Sequence, residues 1–188
     1  MKKSRLAFLP ALVLVSWMAS FVATSSFAFG SAPELKVVPH VELNRYLGKW
    51  YEIGSFPQSF QKGCTAVTAE YSLRPDGDIK VVNSCRLGSP DGDVKVAEGK
   101  AGVTDTTTNA KLRVQFFWPF SGKYWIIELG DQYEYAVVGH PNRDYLWFLS
   151  RTPKMDPVLF DRLMERVKEQ GFDTSRFVRT RHAENVTY

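Results

Sequence analysis

Cysteine and histidine are scarce in this chain of 188 residues, which contains two cysteines and three histidines. The histidines, His40, His140 and His182, are scattered, and no short run combines histidine, cysteine and acidic residues as a metal site does. The sequence also lacks a glycine-rich loop of the phosphate-binding type and a serine with a plausible base. These absences count against metalloenzymes, nucleotide-binding enzymes and serine hydrolases. We therefore predict a protein that is not an enzyme and that has no catalytic residues, metal or cofactor.

Positive charge exceeds negative charge by little, and the excess lies at the N-terminus. The chain has 24 lysines and arginines against 20 acidic residues, a formal net charge of +4. Residues 1–5 contain three of those cations and no acid, so the remaining sequence carries a net charge of +1. This balance argues against nucleic acid as a partner, because binding to phosphates needs a basic face.

The N-terminus has the pattern of a signal peptide. Residues 6–23 are almost wholly apolar, and residues 26–28 offer small side chains at the two positions that a signal peptidase reads. We expect cleavage after Ala28, with Ala32 as the alternative, and hence an exported, periplasmic protein. No cysteine is near this point, which excludes a lipid-modified N-terminal cysteine. The less favoured alternative is an uncleaved leader that anchors the protein, but Pro10 interrupts the apolar run, which is short for a span.

Most of the remaining sequence alternates between apolar and polar residues, which is the pattern of β-strands with one wet face. The clearest example is residues 111–116, where the two types exchange at every position. Similar runs occupy residues 49–55, 67–73, 79–83, 97–103, 124–129, 135–139 and 145–151. The connections are short and rich in turn-forming residues, which favours consecutive antiparallel strands. Closure removes exposed edges, so we predict an all-β fold, an eight-stranded antiparallel up-and-down β-barrel.

One segment has helical periodicity instead. Asp156 is a suitable N-cap, Pro157 suits the first helical position, and Gly171 suits the end of the helix. The apolar residues between them share one face: Leu159, Phe160, Leu163, Met164 and Val167. We predict a C-terminal α-helix whose apolar face packs against the outside of the barrel, followed by a short strand over residues 176–180.

The two cysteines, Cys64 and Cys85, flank a predicted hairpin whose turn is residues 74–78. Opposite positions at the open end of a hairpin are within bridging distance, and an even number of cysteines in an exported protein is typical of disulfides. We predict a Cys64–Cys85 disulfide, which contributes about 3 kcal/mol in the chain-entropy account of such bonds.

Two distant segments predict how one end of the barrel is sealed. Gly48 permits a tight approach into the first strand, and Trp50 occupies the first inward position of that strand. Arg151 follows the last predicted barrel strand, and its guanidinium is able to stack on the Trp50 ring. We predict that these three residues are structural and that they plug the closed end of a cup.

Four motifs, in this order and spacing, resemble the lipocalin family, and in particular its branch of bacterial lipocalins and apolipoprotein D. They are residues 46–53 (YLGKWYEI), the hairpin 69–73 (AEYSL) with 81–83 (VVN), residues 144–153 (DYLWFLSRTP) and residues 171–173 (GFD). The likeness covers about residues 41–177. One departure is that the Thr-Asp-Tyr turn of the family is present only as Gly130-Asp131-Gln132. This departure weakens a receptor-docking role for that turn and leaves the predicted fold unchanged.

The resemblance implies a protein that binds and carries or stores a small lipophilic molecule in the barrel cavity. Within this branch, fatty acids and lysophospholipids are the favoured class, and the implied role is maintenance of envelope lipids. Together these features divide the chain into a signal peptide (1–28), a lead-in (29–40), a lipocalin domain (41–181) and a C-terminal tail (182–188).

Two alternative functions stay open. The first is an isomerase similar to prostaglandin D synthase, with Cys64 as nucleophile. That chemistry needs a free thiolate, and the presence of Cys85 argues against one. The second is a structural envelope protein whose interior is packed solid.

The interior of the predicted barrel has room for one small ligand, because eight strands enclose just enough space and several inward residues are small. We expect ligand contacts from Ala69, Tyr71, Asn83, Val114, Phe116, Tyr124, Trp147 and Leu149. For each aromatic residue, core packing is the alternative. The amide of Asn83 is a stronger candidate, because an amide in an apolar cavity is costly unless it is bonded or solvated.

Two cations lie beside the cysteines at the predicted open end, Lys62 and Arg86. A cation at this place is able to meet the carboxylate or phosphate head of a ligand while the acyl chain enters the cup. The alternative, in which both are solvated surface cations, stays open.

Aromatic residues are concentrated in residues 116–125, a connection that crosses the rim of the predicted barrel. Its outward aromatic side chains cannot all belong to the core. Phe117, Trp118 and Phe120, with a nearby lysine, suit a ligand gate, a membrane interface or a dimer contact, in that order. We expect a monomer or a weak dimer.

Overall fold

The structure is a computed structural model that describes residues 33–183. The predicted signal peptide, both predicted cleavage positions and residues 184–188 of the predicted tail lie outside the described residues. Within the described part, two helices, nine strands and two short 3-10 turns follow one another. In chain order they are α1 (Leu43–Tyr46), β1 (Gly48–Ser55), a 3-10 turn (Ser59–Gln61), β2 (Cys64–Leu73), β3 (Ile79–Leu87), β4 (Val94–Val103), β5 (Lys111–Phe117), β6 (Phe120–Leu129), β7 (Tyr135–Gly139), β8 (Leu146–Ser150), α2 (Pro157–Glu169), a 3-10 turn (Thr174–Arg176) and β9 (Val178–Arg179).

The first eight strands close into an antiparallel barrel, which confirms the predicted fold. Each strand from β2 to β7 pairs with the next along the chain, and β8 pairs with β1. β1 also pairs with β2, with Gly48 opposite Tyr71 and Tyr51 opposite Thr68, and this pairing completes the ring. Gly48 begins β1 with a backbone φ of 89°, a conformation that glycine adopts without strain.

Helix α2 packs against the outside of the barrel, as predicted. Its buried residues Phe160, Leu163 and Val167 form an outer core with side chains from β1, β6, β7 and β8. Asp156 caps the helix, since its side chain accepts a hydrogen bond from the backbone N–H of Leu159 at 2.9 Å. The helix therefore covers one side of the wall and leaves the lumen free.

The closed end of the barrel is sealed by Trp50, whose side chain is fully buried. The guanidinium carbon of Arg151 lies 3.7 Å from the centroid of the Trp50 ring. The same guanidinium donates hydrogen bonds to the backbone oxygens of Arg45, Lys49 and Tyr133 at 2.7, 2.9 and 3.1 Å. Arg151 thus joins the segment before β1, the start of β1 and the loop before β7 beneath the indole.

At the open end, β1 and β2 separate, and the C-terminal segment lies between them. β9 pairs with the last residues of β1, with Val178 opposite Ser55. Farther along, the backbone N–H of Ala66 in β2 donates a hydrogen bond to the oxygen of Arg181 at 2.7 Å. Residues 178–181 therefore bridge the two strands where their direct pairing ends.

The turn between β5 and β6 is shorter than the sequence predicted. β6 begins at Phe120 instead of residue 124, so only Trp118 and Pro119 separate the two strands. Phe117, Trp118 and Phe120 are 74, 86 and 77 % exposed. The aromatic residues at the rim therefore form the tip of a paired hairpin, which we call the aromatic tip (residues 117–120).

Candidate functional site

Cross-strand pairing fixes which side chains face the lumen, because opposite residues in an antiparallel pair lie on the same face. From Trp50, the pairing leads to Ala69, then to Asn83 and then to Ala97. The same rule and the inner packing place the other predicted contacts on this face: Tyr71, Val114, Phe116, Tyr124, Trp147 and Leu149. The structure thus brings all eight predicted contact residues to the inner face. Their contact with a ligand stays a prediction.

The inner face is packed at the closed end and accessible toward the open end. Trp50 and Val81 are 0 and 2 % exposed. Asn83, Val114 and Trp147, which point into the same barrel, are only half-buried. Since the wall is closed around them, the surface that these side chains keep lies in the lumen. The inner face is thus packed at its floor and keeps partly exposed side chains above it.

The room that the sequence assigned to small inward residues is partly filled. A side-chain carbon at Gly99 would lie only 2.6 Å from the backbone oxygen of Gln115 and 2.8 Å from the ring of Phe116, so glycine makes space for both. Ala69 and Ala97 lie next to Asn83 on the neighbouring strands. Phe116 therefore covers the inner face at Gly99, and small side chains flank the half-buried Asn83.

Asn83 is the polar residue at mid-height of this wall. Among residues 33–183, its side-chain amide has no hydrogen-bond partner, although two alanines flank it on the same face. Because Asn83 is half-buried, its amide is open to hydrogen bonds from solvent or from a ligand. Contact between Asn83 and a ligand stays a prediction.

Three tyrosine hydroxyls meet at the floor of the lumen. The hydroxyl of Tyr124 lies 2.8 Å from that of Tyr46 and 3.0 Å from that of Tyr71. Burial raises the pKa of Tyr71 to about 12 and raises the pKa values of Tyr46 and Tyr124 well above their usual range. All three groups are therefore neutral at physiological pH. The sequence predicted Tyr71 and Tyr124 here but missed Tyr46, because it lies in the short helix α1 before the first strand.

Cys64 and Cys85 form a disulfide near the open end, with their Cα atoms 5.5 Å apart, which confirms the prediction. Cys85 is buried and follows Asn83 by two residues on β3, so it also lies on the inner face. An isomerase mechanism with Cys64 as nucleophile needs a thiolate, and the disulfide leaves no free thiol at either position.

The two predicted head-group cations are not brought together on the inner face. Lys62 is exposed in the loop before β2. Arg86 alternates with Cys85 on β3 and so lies on the outer face, where its guanidinium donates to the backbone oxygen of Gly92 at 3.2 Å. A third cation was missed: Lys95 lies opposite Cys85, on the inward alternation of β4. The sequence signal for it was available, since Lys95 continues the inward series two residues before Ala97.

Lys95 also holds the loop that approaches the open end. Its ammonium group donates a hydrogen bond to the backbone oxygen of Phe60 at 3.1 Å. Phe60 belongs to the 3-10 turn between β1 and β2, so the bond joins that turn to β4. An exposed cation on the inward alternation is well placed to meet an anionic group at the mouth.

A buried acid, Glu52, lies on the inner face near the open end. A bulge between Glu52 and Gly54 places Glu52 and Ser55 on the same side of β1. The carboxylate accepts hydrogen bonds from Ser55 Oγ, Gln61 Nε2 and Thr180 Oγ1 at 3.2, 2.8 and 2.5 Å. Three donors make this acid a satisfied structural group that joins β1 to the rim loop and the C-terminal segment.

No metal site accompanies these residues: within residues 33–183, no group of three or more histidine, cysteine or acidic side chains is arranged to hold a metal ion.

Comparison with known proteins gives consistent matches along the barrel. The family model of the lipocalin-like domain matches residues 41–182. Outer membrane lipoprotein Blc of Vibrio cholerae is 45% identical over 150 residues, which cover 79% of this chain and 87% of that protein. Apolipoprotein D of Bos taurus is 35% identical over 159 residues, which cover 79% of this chain and 82% of the relative. Insecticyanin from the tobacco hornworm Manduca sexta, a solved structure, is similar with a TM-score of 0.66 and 21% identity, covering 82% of this chain and 88% of that one. At this identity the structural likeness supports the fold alone.

Proposed function

Because this chain belongs to the lipocalin-like family, we propose that it binds a fatty acid or a lysophospholipid in the barrel lumen. It carries or stores that lipid in the cell envelope, as part of envelope lipid maintenance. The observation that carries this proposal is the inner face, which is sealed by Trp50 and remains accessible around Asn83, Val114 and Trp147. A sealed base with an apolar, reachable wall suits one elongated lipophilic molecule.

The wall supports an acyl chain as the buried part of the ligand. Phe116, Val114 and Trp147 offer apolar surface, and the small side chains of Ala69 and Ala97 flank Asn83 on the same face. Each methylene of a chain that leaves water for such a surface contributes about 0.8 kcal/mol. Apolar contacts of this kind discriminate weakly between chain lengths, so the proposal names a class and not one lipid.

Cations at the mouth support an acidic or phosphate-bearing head. Lys95 lies on the inward alternation, and Lys62 is exposed in the adjacent loop. Both are flexible enough to reach a head group that stays at the rim while the chain enters the barrel. Arg86, on the outer face, is a less direct participant than the sequence predicted.

The proposed location is the periplasm, with an exported chain that is a monomer or a weak dimer. Its relative in Vibrio cholerae is named an outer membrane lipoprotein, which supports an envelope location. In this chain both cysteines are in the disulfide. Among residues 33–183, no helix is long and apolar enough to cross a membrane.

The aromatic tip supports transient contact with a membrane surface. Phe117, Trp118 and Phe120 are exposed beside the lumen entrance, and Lys123 follows them on β6. Aromatic rings with a nearby cation favour the interface between lipid head groups and chains. Such contact would present the mouth of the barrel to the lipid that it loads or releases.

Fluorescence titration tests the proposed ligand class. A brominated fatty acid, added to the purified protein, should quench tryptophan emission with saturation at one molecule per chain, because Trp147 faces the lumen. The variant Trp147→Phe should lose most of that quenching. Trp125→Phe is the matched control, since Trp125 packs in the outer core and between Lys111 and Lys123. Quenching that is absent, or that Trp147→Phe leaves unchanged, would mean that the lumen is not the binding site.

A further inference from the structure

The tyrosine cluster at the floor of the lumen has one proton more than it uses. Tyr46, Tyr124 and Tyr71 form a chain of three hydroxyls with two hydrogen bonds between them. Each hydroxyl has one proton to donate. Whichever direction the two bonds take, they use two of the three protons. Among residues 33–183, no other acceptor is bonded to these hydroxyls, so the third proton is available to whatever fills the lumen.

The cluster borders the lumen on its upper side. Tyr71 and Tyr124 are both on the inner face. Tyr71 lies opposite Val81 on β3, and Tyr124 lies opposite Leu112 on β5. Tyr124 is half-buried whereas Tyr46 is 3 % exposed, so the accessible part of the cluster is the Tyr124 side. Below it, Tyr46 packs on Trp50 with ring centroids 4.9 Å apart. When Tyr46 and Tyr71 both donate to Tyr124, the unused proton belongs to Tyr124, the most exposed residue of the three.

The surroundings favour a neutral partner for this donor. Burial holds the pKa values of all three hydroxyls above their usual range, which keeps the protons in place. The nearest cation, Arg151, lies beneath the Trp50 ring and is already bonded to three backbone oxygens. A carboxylate at this depth would lose its hydration without gaining an ion pair, which is costly. A carbonyl oxygen needs only the one donor that the cluster supplies.

We propose that the Tyr46–Tyr71–Tyr124 cluster is a polar subsite that binds a neutral carbonyl oxygen at the buried end of the ligand. The preferred ligand is then an oxygenated acyl chain: its acidic head stays near Lys95, and a ketone or ester oxygen close to its far end accepts a hydrogen bond from the cluster. This inference rests on the proposed function, since it assumes that an acyl chain occupies the lumen, and it refines the class of chain.

A matched pair of ligands tests the subsite: hexadecanoic acid and the same acid with a ketone at its penultimate carbon. The variant Tyr46→Phe/Tyr71→Phe/Tyr124→Phe removes all three hydroxyls and keeps the three rings. We expect it to bind the keto acid about tenfold more weakly than the wild type does, as loss of one hydrogen bond to a buried carbonyl predicts. Binding of the unsubstituted acid should change by less than about threefold. Tyr133→Phe is the control, because the hydroxyl of Tyr133 accepts from the backbone N–H of Glu42 instead of joining the cluster.

The outcomes separate the subsite from the proposed function. If the wild type binds neither acid, the lumen is not a lipid site and both proposals fail. If the wild type binds both acids, and the triple variant binds both equally more weakly or binds both as the wild type does, the subsite alone is wrong. Infrared spectroscopy of the keto acid on the wild type needs no variant. The ketone stretching frequency should be lower than in an alkane solvent, and an unshifted frequency would overturn the subsite.

Discussion

At the scale of single residues, Arg151 stabilises the closed end by a cation–π contact with one ring and by hydrogen bonds to three backbone carbonyls. Its guanidinium stacks on Trp50 and donates to three backbone oxygens from separate segments. Hydrogen bonds from a charged donor and a cation–π contact each contribute about 1 kcal/mol or more, and their values are not additive. The residue therefore joins three segments that no strand pairing within residues 33–183 links to one another.

We predict that Arg151→Ala lowers the free energy of unfolding by about 3 kcal/mol, measured by guanidinium chloride denaturation. Arg151→Lys should recover less than half of this loss, because an ammonium group lacks the planar, forked geometry. Arg113→Ala is the control: among residues 33–183, the exposed Arg113 bonds only Ser121 Oγ, at 3.1 Å, and its loss should change stability by less than about 0.5 kcal/mol. Equal losses for the Arg151 and Arg113 variants would contradict the role of Arg151.

The buried tyrosines make stability depend on alkaline pH. Burial raises the pKa of Tyr71 to about 12, above the value of 10.0 for the free side chain, and acts in the same direction on Tyr46 and Tyr124. Since the folded state holds these protons more tightly, their stabilising contribution is complete below about pH 10 and is lost as the pH rises toward about 12.

The expected result is a fall in the free energy of unfolding, on the order of 2 kcal/mol or more, across this interval. The Tyr46→Phe/Tyr71→Phe/Tyr124→Phe variant should fall less, because phenylalanine does not titrate. Urea denaturation at a series of pH values measures both curves. Parallel curves for the two proteins would show that other groups cause the loss.

Residue roles differ in how well the sequence predicts them. Trp50 and Arg151 stand in motifs whose geometry follows from strand alternation, so their stacking was expected. Tyr46 was missed because it precedes the regular strands, where period-two alternation gives no direction. Arg86 was taken as a mouth cation from its position in the chain, yet alternation from Cys85 turns it outward and turns Lys95 inward.

At the scale of secondary structure elements, the disulfide ties the upper ends of β2 and β3, where their pairing is interrupted by a bulge. The bond closes a loop with a sequence separation of 21 residues. A loop of this length contributes about 3 kcal/mol by restricting the unfolded chain.

We predict that Cys64→Ser/Cys85→Ser lowers the free energy of unfolding by about 3 kcal/mol. A reductant should lower the wild type to the same value and leave the variant unchanged, which makes the variant its own control. Denaturation with and without reductant provides the measurement. If the denatured, unreduced wild type titrates two free thiols, the disulfide is wrong and the isomerase alternative returns.

Strand order and the outer helix could be predicted because each depends on local periodicity and short connections. The open end could not. Three features of the open end depend on where β1 and β2 diverge, and no single segment of sequence encodes that point. They are the bulge after Glu52, the hydrogen bond from Thr180 to Glu52 and the bridge made by residues 178–181. The sequence predicted a connection around Trp118, because aromatic residues on both sides of a proline do not show the alternation of a strand. In the structure, β5 and β6 stay paired as far as Phe117 and Phe120.

At the scale of the whole molecule, the barrel separates two apolar cores. The outer core under α2 is closed to solvent at residues such as Phe148 and Leu163, whereas the inner core opens upward past Asn83 and Trp147. Folding alone does not need half-buried apolar side chains on an inner face, because filling that space would add stability. The half-buried side chains of the inner core are the physical basis of the lipid binding that we propose.

Native mass spectrometry of the exported protein, purified without detergent and then mixed with lysophospholipid or fatty acid, tests this use of the lumen. We predict one bound lipid per chain, and loss of that species in Ala97→Phe, which fills the space beside Asn83 while the fold and the unfolding midpoint remain close to those of the wild type. Two results would contradict the claim that the lumen holds a lipid. One is a spectrum that contains only the chain without lipid before and after mixing, and the other is equal lipid binding by Ala97→Phe and the wild type.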